Sequence, residues 1–224
     1  MNENTMESVY SIDHVTIRKS LYFFIKRIFD LFVGIIGFIF LIPVTIMVKT
    51  AYMISGDFAS IIYKQARIGK NGKTLYIYKY RTMVPNADVM LFELLKKNKK
   101  LKKEWETNQK LENDPRITKV GKILRKASID EMPQFLNLLK GDMSLIGPRP
   151  LVHGELDAHG GNHQIYESVK PGITGWWACN GRSALNYDER LKLEYYYINN
   201  CSISLDIKCI LLTAITVIKR DGAK

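Results

Sequence analysis

Apolar and polar positions divide the chain before any single residue is weighed. Residues 31–48, LFVGIIGFIFLIPVTIMV, run without a charged side chain. As a helix rising 1.5 Å per residue the run is about 27 Å long, at the margin of the roughly 30 Å hydrocarbon core of a bilayer. Length alone does not decide whether it spans. Pro43 sits inside the run, where a helix loses a backbone bond and kinks. Arg18, Lys19, Lys26 and Arg27 precede it, and Lys49, Lys64, Arg67 and Lys70 follow it. Because Lys and Arg are retained on the cytoplasmic side, two basic flanks predict a re-entrant helical hairpin that bends at Pro43 and leaves on the face it entered. The competing reading is a proline-kinked transmembrane anchor, which membranes tolerate. A cleaved signal peptide does not fit, because the run starts late and no small-residue cleavage site follows it.

Around this segment the pattern changes character. Residues 1–18 are polar and mixed, and predict a frayed start. Ser20–Arg27 is an aromatic and cationic approach, with Tyr22, Phe23 and Phe24 suited to the interface. Asp30 stands at the mouth of the apolar run, where a carboxylate is costly unless it stays at the headgroups or pairs with Arg27. Two β-prone runs, 61–68 and 73–83, flank Asn71-Gly72, a strong hairpin signal. In the second run Tyr76, Tyr78 and Tyr80 fall on one face and Lys79 and Arg81 on the other. The cations read either as an anion-binding pair or as a solvated edge.

Residues 87–113 predict one long helix with an apolar stripe and an intensely basic middle (Lys96, Lys97, Lys99, Lys100, Lys102, Lys103). It either lies on an anionic bilayer or presents a solvated face. Asp114-Pro115 breaks it. A helix through Phe135, Leu136 and Leu139 is closed by Gly141. His153, His159 and His163, with Gly160-Gly161, read as a mobile polar loop, since their spacing matches no zinc site. Lys170–Trp177 is turn-rich and aromatic and leads to Asn180-Gly181-Arg182. It would stack a base or sugar and place one cation at Arg182, or serve as an interfacial aromatic loop. Residues 206–219 predict an apolar helix that docks in the interface.

The predicted class is α+β, mainly helical: a monotopic membrane protein with an N-terminal re-entrant helical hairpin, a small β-hairpin and interfacial amphipathic helices. Its divisions are an N-terminal segment (1–25), the hairpin (26–56) and a catalytic domain (57–224). Composition adds a surplus of 33 Lys+Arg over 22 Asp+Glu, a formal +11, which attracts anionic partners. Beside a membrane segment these are lipid headgroups and phosphorylated substrates. Nucleic acid is not expected, because no RNP-like strand, finger spacing or helix-turn-helix is found. Cys179, Cys201 and Cys209 lack metal or redox spacing and fit a reduced compartment.

The chemistry concentrates in LRKASIDEMPQF (124–135) and in GDMS (141–144) and GPRP (147–150). Asp130 and Glu131 stand between Arg125 and Arg149. Such a cluster holds a phosphoanhydride by its oxygens and presents a carboxylate to phosphorus. Ser128-x-x-Glu131 reads as a capping box, but Pro133 would then lie past the first turn. With Asp130 as N-cap, Pro133 falls in the permitted turn and the helix end keeps the Asp130 carboxylate ionised. Adjacent carboxylates repel, so a divalent cation is their natural partner, Mg²⁺ for phosphate work.

These residues resemble the bacterial sugar transferases, the monotopic phosphoglycosyl transferases that begin capsule, exopolysaccharide, O-antigen or glycoprotein glycan assembly. The resemblance runs from Lys26 to the C-terminus through KRIFD (26–30), ARIGKNGKTLYIYKYRTM (66–83), DPRITKVGKILRKASIDEMPQFLNLLKGDMSLIGPRP (114–150), KPGITGWW (170–177), NGR (180–182) and YYYINNCSISLDI (195–207). It implies transfer of a sugar 1-phosphate from a UDP-sugar to undecaprenyl phosphate, with release of UMP, at the cytoplasmic face of the bacterial inner membrane. A covalent aspartyl-phosphosugar intermediate and Mg²⁺ are implied with it. Asp130 would be the nucleophile, Glu131 its partner in metal binding or proton handling, and Arg125, Arg149 and Lys79 phosphate ligands. Asp206 matches a late acidic position whose role the residues do not supply.

Implied partners are the UDP-sugar donor, undecaprenyl phosphate, membrane lipids and downstream glycosyltransferases; a homodimer is left open. Two departures stand out. Ile42 precedes the membrane proline where relatives often have Ser, so a helix-breaking hydroxyl must come from Thr45 or the help from the backbone. Trp176-Trp177-Ala178-Cys179 lacks the glutamine many relatives carry, so the sugar is not named. No additional N-terminal membrane domain precedes the matched blocks, which reads as the minimal catalytic form. The rival readings are a non-catalytic membrane-surface scaffold of a glycan assembly complex, and a hydrolase that uses water as acceptor.

Overall fold

A computed structural model describes residues 3–108, 111–181 and 185–219. The first helix, α1 (Glu3–Ile54), is unbroken and contains Pro43. The frayed start expected for residues 1–18 is therefore replaced by helix, because adding residues to an existing helix gains one bond for each residue fixed. Helical structure continues through Pro43. In the disturbed turn the Thr45 hydroxyl donates to the Leu41 carbonyl (2.7 Å), a back-bond of the kind that bends helices without ending them. Within α1, Lys19–Ile54 is long and apolar enough to cross a membrane, and only 22% of its apolar window is buried. A core helix of a soluble protein would be mostly covered.

Strands β1 (Ile62–Ile68) and β2 (Thr74–Tyr80) form a two-stranded sheet. The connection, a 3₁₀ turn at Lys70–Gly72, passes through Asn71 (φ 58°) and Gly72 (φ 70°), positive φ values that Asn and Gly adopt with least strain. Burial is uneven along the tyrosine face. Tyr76 is 56% exposed, Tyr80 only 1%, and Leu75 and Ile77 are the buried alternates. The alternation slips near the strand end, where the Tyr80 hydroxyl meets that of Thr45 (2.6 Å).

The single helix expected over 87–113 is two, α2 (Ala87–Lys97) and α3 (Lys99–Asn108). Asn98 divides them: its backbone is extended and its side chain accepts from the amides of Lys100 and Leu101 (3.0 and 3.1 Å). A local side-chain bond here outcompetes the helix. Then follow α4 (Lys119–Lys126), a 3₁₀ turn (Ile129–Gln134) and α5 (Phe135–Lys140), closed by Gly141 at φ 83° as expected. Strand β3 (Ser144–Ile146), the short helices α6 (Glu155–Ala158) and α7 (His163–Tyr166), β4 (Gly172–Thr174) and α8 (Trp176–Cys179) precede α9 (Tyr187–Asn200) and α10 (Ile203–Lys219). β3 and β4 pair in parallel, Ser144 opposite Gly172.

Two compact units share these elements. One draws on Met1–Phe38, Ala66–Ile77 and Gln134–Lys224, the other on Ile39–Gln65 and Tyr78–Pro133. In the first, Leu75, Ile77, Leu138 and Met143 form a core with Val33 and Phe135 against it. Gly34 and Gly37 permit this approach of α1, since a Cβ on Gly37 would lie 2.4 Å from the Phe135 ring and one on Gly34 2.9 Å from Leu139. A second core joins Leu151, Leu156, Tyr166, Leu191 and Ile198. In the other unit Val48, Tyr52, Tyr80, Leu111 and Leu124 are buried, and the Tyr52 hydroxyl donates to the Arg81 carbonyl. The three cysteines are free thiols.

Candidate active site

The second unit assembles four of the singled-out residues. Thr118 caps α4 by accepting from the Gly121 amide (2.8 Å), which satisfies one orphan donor of the first turn. Gly121 then lies against the end of the hairpin: a Cβ there would stand 2.0 Å from the Thr82 carbonyl oxygen. That approach brings Arg125, one turn on, to the strand end, where its Nε donates to the Thr82 hydroxyl (3.0 Å). Lys79, near the end of β2, donates to Glu131 (2.6 Å) across a pair that is 24% and 45% exposed. The pair is half open to solvent.

Asp130 occupies the 3₁₀ turn and is not the N-cap of a regular helix. Ser128 takes a left-handed conformation (φ 55°) and α5 begins only at Phe135, after Pro133. Neither anticipated cap register is adopted, because Pro133 cannot donate in a regular helical turn and the segment tightens instead. The electrostatic outcome differs from expectation as well. Burial first, and the Glu131 charge second, push the Asp130 carboxyl above its usual range, against the pull of Lys79 and Arg125. No helix end holds it down. Among the described residues, its carboxylate takes a hydrogen bond only from its own amide. A carboxylate with free lone pairs, near two cations but bonded to neither, is suited to attack an electrophile or to join a metal ion.

The donor set suits a hard divalent ion. Two adjacent carboxylates, one held by Lys79, fit an ion such as Mg²⁺ that completes its shell with water and substrate phosphate rather than a full protein cage. No group of three His, Cys, Asp or Glu is arranged to hold a metal among the described residues.

Arg81 is placed otherwise than expected. Its guanidinium is consumed by the Asp57 carboxylate (2.9 Å), the Ser60 carbonyl (2.7 Å) and the Met83 carbonyl (2.8 Å), so it pins the loop after α1 and does not form an anion-binding pair with Lys79. Asp114 and Arg116, unforeseen, form a buried pair (2.6 Å) beneath Trp105.

The remaining candidates belong to the first unit. Arg149 is exposed, with its guanidinium 5.5 Å from the Trp177 ring centre. Its backbone is fixed twice: the amide donates to Glu194 (2.9 Å) and the carbonyl accepts from the Tyr166 hydroxyl (2.9 Å). Glu194 is fully buried, and burial pushes its carboxyl up to about 8. Asp206 accepts from Tyr22 (2.9 Å), Lys26 (2.6 Å) and Tyr197 (2.6 Å), which accounts for it as the tie between α1 and α10. Asp30 is buried and accepts from the Leu145 amide (2.8 Å); Arg27, its expected partner, instead donates to the Leu138 and Leu139 carbonyls (2.6 and 2.9 Å). Free carbonyls at the end of α5 and a free amide in β3 outbid the direct ion pair. Arg182 lies outside the described residues. His163 is bonded to Asp157 and Glu167 (both 2.7 Å), and His159 stacks on Tyr187.

Comparison with known proteins agrees with the residue pattern. The chain is 42% identical over 200 residues to the undecaprenyl-phosphate galactose phosphotransferase of Salmonella typhimurium, covering 89% of this chain and 42% of that protein. A UDP-galactose-lipid carrier transferase of Erwinia amylovora is 40% identical over 89% of this chain and 42% of its own length. The exopolysaccharide production protein ExoY of Sinorhizobium fredii is 39% identical, over 88% of this chain and 87% of its own length. The chain thus spans less than half of the first two relatives and most of the third. Residues 21–220 match the bacterial sugar transferase family from end to end of the cluster described above, and the chain belongs to that family.

Proposed function

We propose that this protein transfers a sugar 1-phosphate from a UDP-sugar to undecaprenyl phosphate and releases UMP, as the entry step of exopolysaccharide, capsule or related glycan synthesis. The observation that carries the reading is the Asp130 carboxylate, pushed upward and without an external donor, beside Glu131 on Lys79 and Arg125 on Thr82. One Asp130 oxygen attacks the sugar-bearing phosphorus. The bond from that phosphorus to the bridging oxygen breaks, and UMP leaves with the electron pair. An oxygen of undecaprenyl phosphate then attacks the same phosphorus, and Asp130 departs as a carboxylate. Arg125 neutralises the phosphoryl oxygens, as guanidinium forks do, and Lys79 orients Glu131. Mg²⁺ held by Asp130 and Glu131 would withdraw charge from the phosphoanhydride.

The membrane arrangement that fits is re-entrant, with the polar elements on the cytoplasmic face. Both ends of the apolar segment are fastened to polar structure: Lys26 and Arg27 to Asp206 and α5, and Thr45 and Tyr52 to Tyr80 and Arg81. Cysteines introduced at Ser20 and Ser55 are expected to label from the same side of sealed vesicles. Labelling from opposite sides would replace this arrangement with a span.

The activity test is UMP release by detergent-solubilised protein with Mg²⁺ and undecaprenyl phosphate, beginning with UDP-galactose because two relatives are named for galactose, then UDP-glucose and the UDP-N-acetylhexosamines. Sustained release is expected with one donor, and Asp130→Asn is expected to lower it by at least about 10³-fold. Steady turnover in that variant would remove Asp130 as nucleophile.

A further inference from the structure

The cysteines are nucleophiles that the proposed reaction does not use, and two of them meet. Cys179 ends α8 and Cys209 lies on α10, helices that pack together within the first unit. Cys209 is fully buried with Ile146 and Tyr197, and the half-buried Cys179 packs against that cluster. The two thiols hydrogen-bond to one another. Such a bond sets the sulfurs side by side, the arrangement from which a disulfide forms by side-chain rotation with little movement of the backbone.

The two sulfurs are not equivalent. As a thiol Cys179 donates to the Trp176 carbonyl (3.4 Å), and its sulfur accepts from the Asn180 side-chain amide (3.5 Å). Lys208, whose ammonium lies 5.3 Å from the Trp176 ring centre, brings a positive charge to α8. The hydrogen bond from Cys209 first, then a backbone amide and Lys208, hold the Cys179 thiol below its usual range against the opposing effect of burial. The same hydrogen bond, and then burial, push the Cys209 thiol upward. One sulfur is the better thiolate and the other keeps its proton, the division of labour between an attacking and a resolving cysteine. Cys201 is also half-buried, but burial and then Asp206 push its thiol upward, which makes it an internal control.

We propose that Cys179 and Cys209 are a modification site for hydroperoxides and form a reversible disulfide between α8 and α10. The Cys179 sulfur attacks one peroxide oxygen and the O–O bond breaks. Hydroxide leaves and takes up the proton that Cys179 released, so that water and a sulfenic acid on Cys179 are formed. The Cys209 sulfur then attacks the Cys179 sulfur, the S–O bond breaks, and the departing hydroxyl leaves as a second water with the Cys209 proton. The two thiols together lose two electrons, and one peroxide is reduced. A dithiol reverses the bond by exchange, and in a reducing compartment it is transient, the usual form of an intracellular disulfide. It would lock α8, and with it the start of the Asn180-Gly181 turn, to α10, which Asp206 already fastens to Lys26 of α1. The site does not use the Asp130 cluster and does not depend on the reaction proposed above.

The test is peptide mapping by mass spectrometry of the full, reduced chain in detergent, treated with hydrogen peroxide and then alkylated. The expected product is one internal disulfide joining Cys179 to Cys209, reversed by a dithiol, with Cys201 still open to alkylation. Before oxidation, Cys179 is expected to react with iodoacetamide at least about tenfold faster than Cys201. In Cys209→Ala the bond cannot close, and Cys179 is expected to accumulate as a sulfenic acid trapped by dimedone. Cys179→Ala is expected to leave Cys209 unmodified, and Cys201→Ala to form the disulfide as the wild type does. Peroxide-treated wild type whose three thiols all alkylate as before would overturn the site. So would a disulfide that recruits Cys201, or oxidation of Cys201 ahead of Cys179. Thermal melting shows whether each variant remains folded, and the wild-type map stands even if a variant does not.

Discussion

The Lys26–Asp206 cluster and the Lys79–Glu131–Asp130 cluster each set a lysine 2.6 Å from a carboxylate, but only one of them is closed. Asp206 takes three donors on its two oxygens, and its pair is 10% and 13% exposed. Three of its roughly four acceptor sites are taken and the pair is nearly sealed from solvent, and removing either partner would strand a charge in the interior. In the other cluster Lys79 occupies one oxygen of a half-exposed Glu131, and among the described residues Asp130 accepts only from its own amide. The residue types are the same. What separates the two pairs here is how many hydrogen bonds each oxygen already has and whether solvent can reach it.

That contrast can be broken most sharply at its closed end. Asp206→Ala should destabilise the protein by about 3–5 kcal/mol, the cost of leaving a buried charge unpaired, read as a fall in melting temperature in detergent. Asp130→Asn should melt at or above the wild type, because it removes a carboxylate raised by burial and repulsion. If Asp130→Asn cost as much stability as Asp206→Ala, the two clusters would not differ in kind.

An intermediate effect is expected at Gly121, where no side chain fits against Thr82. Gly121→Ala should cost about 1–3 kcal/mol through overpacking. By displacing Arg125 it should also lower UMP release by about tenfold. Wild-type release from a destabilised Gly121→Ala protein would show that Arg125 is not placed by α4.

A pH-dependent effect concerns Glu194, which supports the Arg149 amide. Its folded pKa of about 8 stands above the ordinary value of 4.5, so the folded protein holds a proton that the unfolded chain releases. Stability from this group is therefore greatest below about pH 4.5, falls as pH rises toward 8, and is level above that. Glu194→Gln should flatten that part of the melting-temperature profile between pH 5 and 8. An unchanged slope would mean that Glu194 does not titrate in this window.

Much of the fold is legible in local pattern. The apolar segment, the Asn71-Gly72 hairpin, the Gly141 helix end and the C-terminal apolar helix each rest on hydrophobicity or backbone preference within a few residues, and each is present. So is the gathering of Asp130, Glu131 and Arg125, which are neighbours in sequence, with Lys79 joining them across a longer gap. Misreadings arose where a distant group offered a better partner than a near one. Asp30 prefers the Leu145 amide to Arg27, Arg81 prefers Asp57 to an open face beside Lys79, and Asn98 cuts a helix that the apolar stripe alone would continue. Thr82, Thr118 and Glu194 carried no advance signal, although Gly121 amid basic and apolar helix formers was a mark of close approach.

By itself, then, the sequence determined the family, the long apolar segment and the adjacency of Asp130 and Glu131, because motif spacing and hydrophobic periodicity are properties of neighbouring residues. Tertiary structure alone decided which charges are spent. Whether Asp206, Arg81 and Asp30 serve as ligands or as ties depends on donors up to 184 positions away, and the same long-range accounting leaves Asp130 open and, among the described residues, the Ser144 hydroxyl without a partner. Hydrogen-bond saturation is a three-dimensional quantity, and it is what distinguishes the two lysine–carboxylate pairs of this protein.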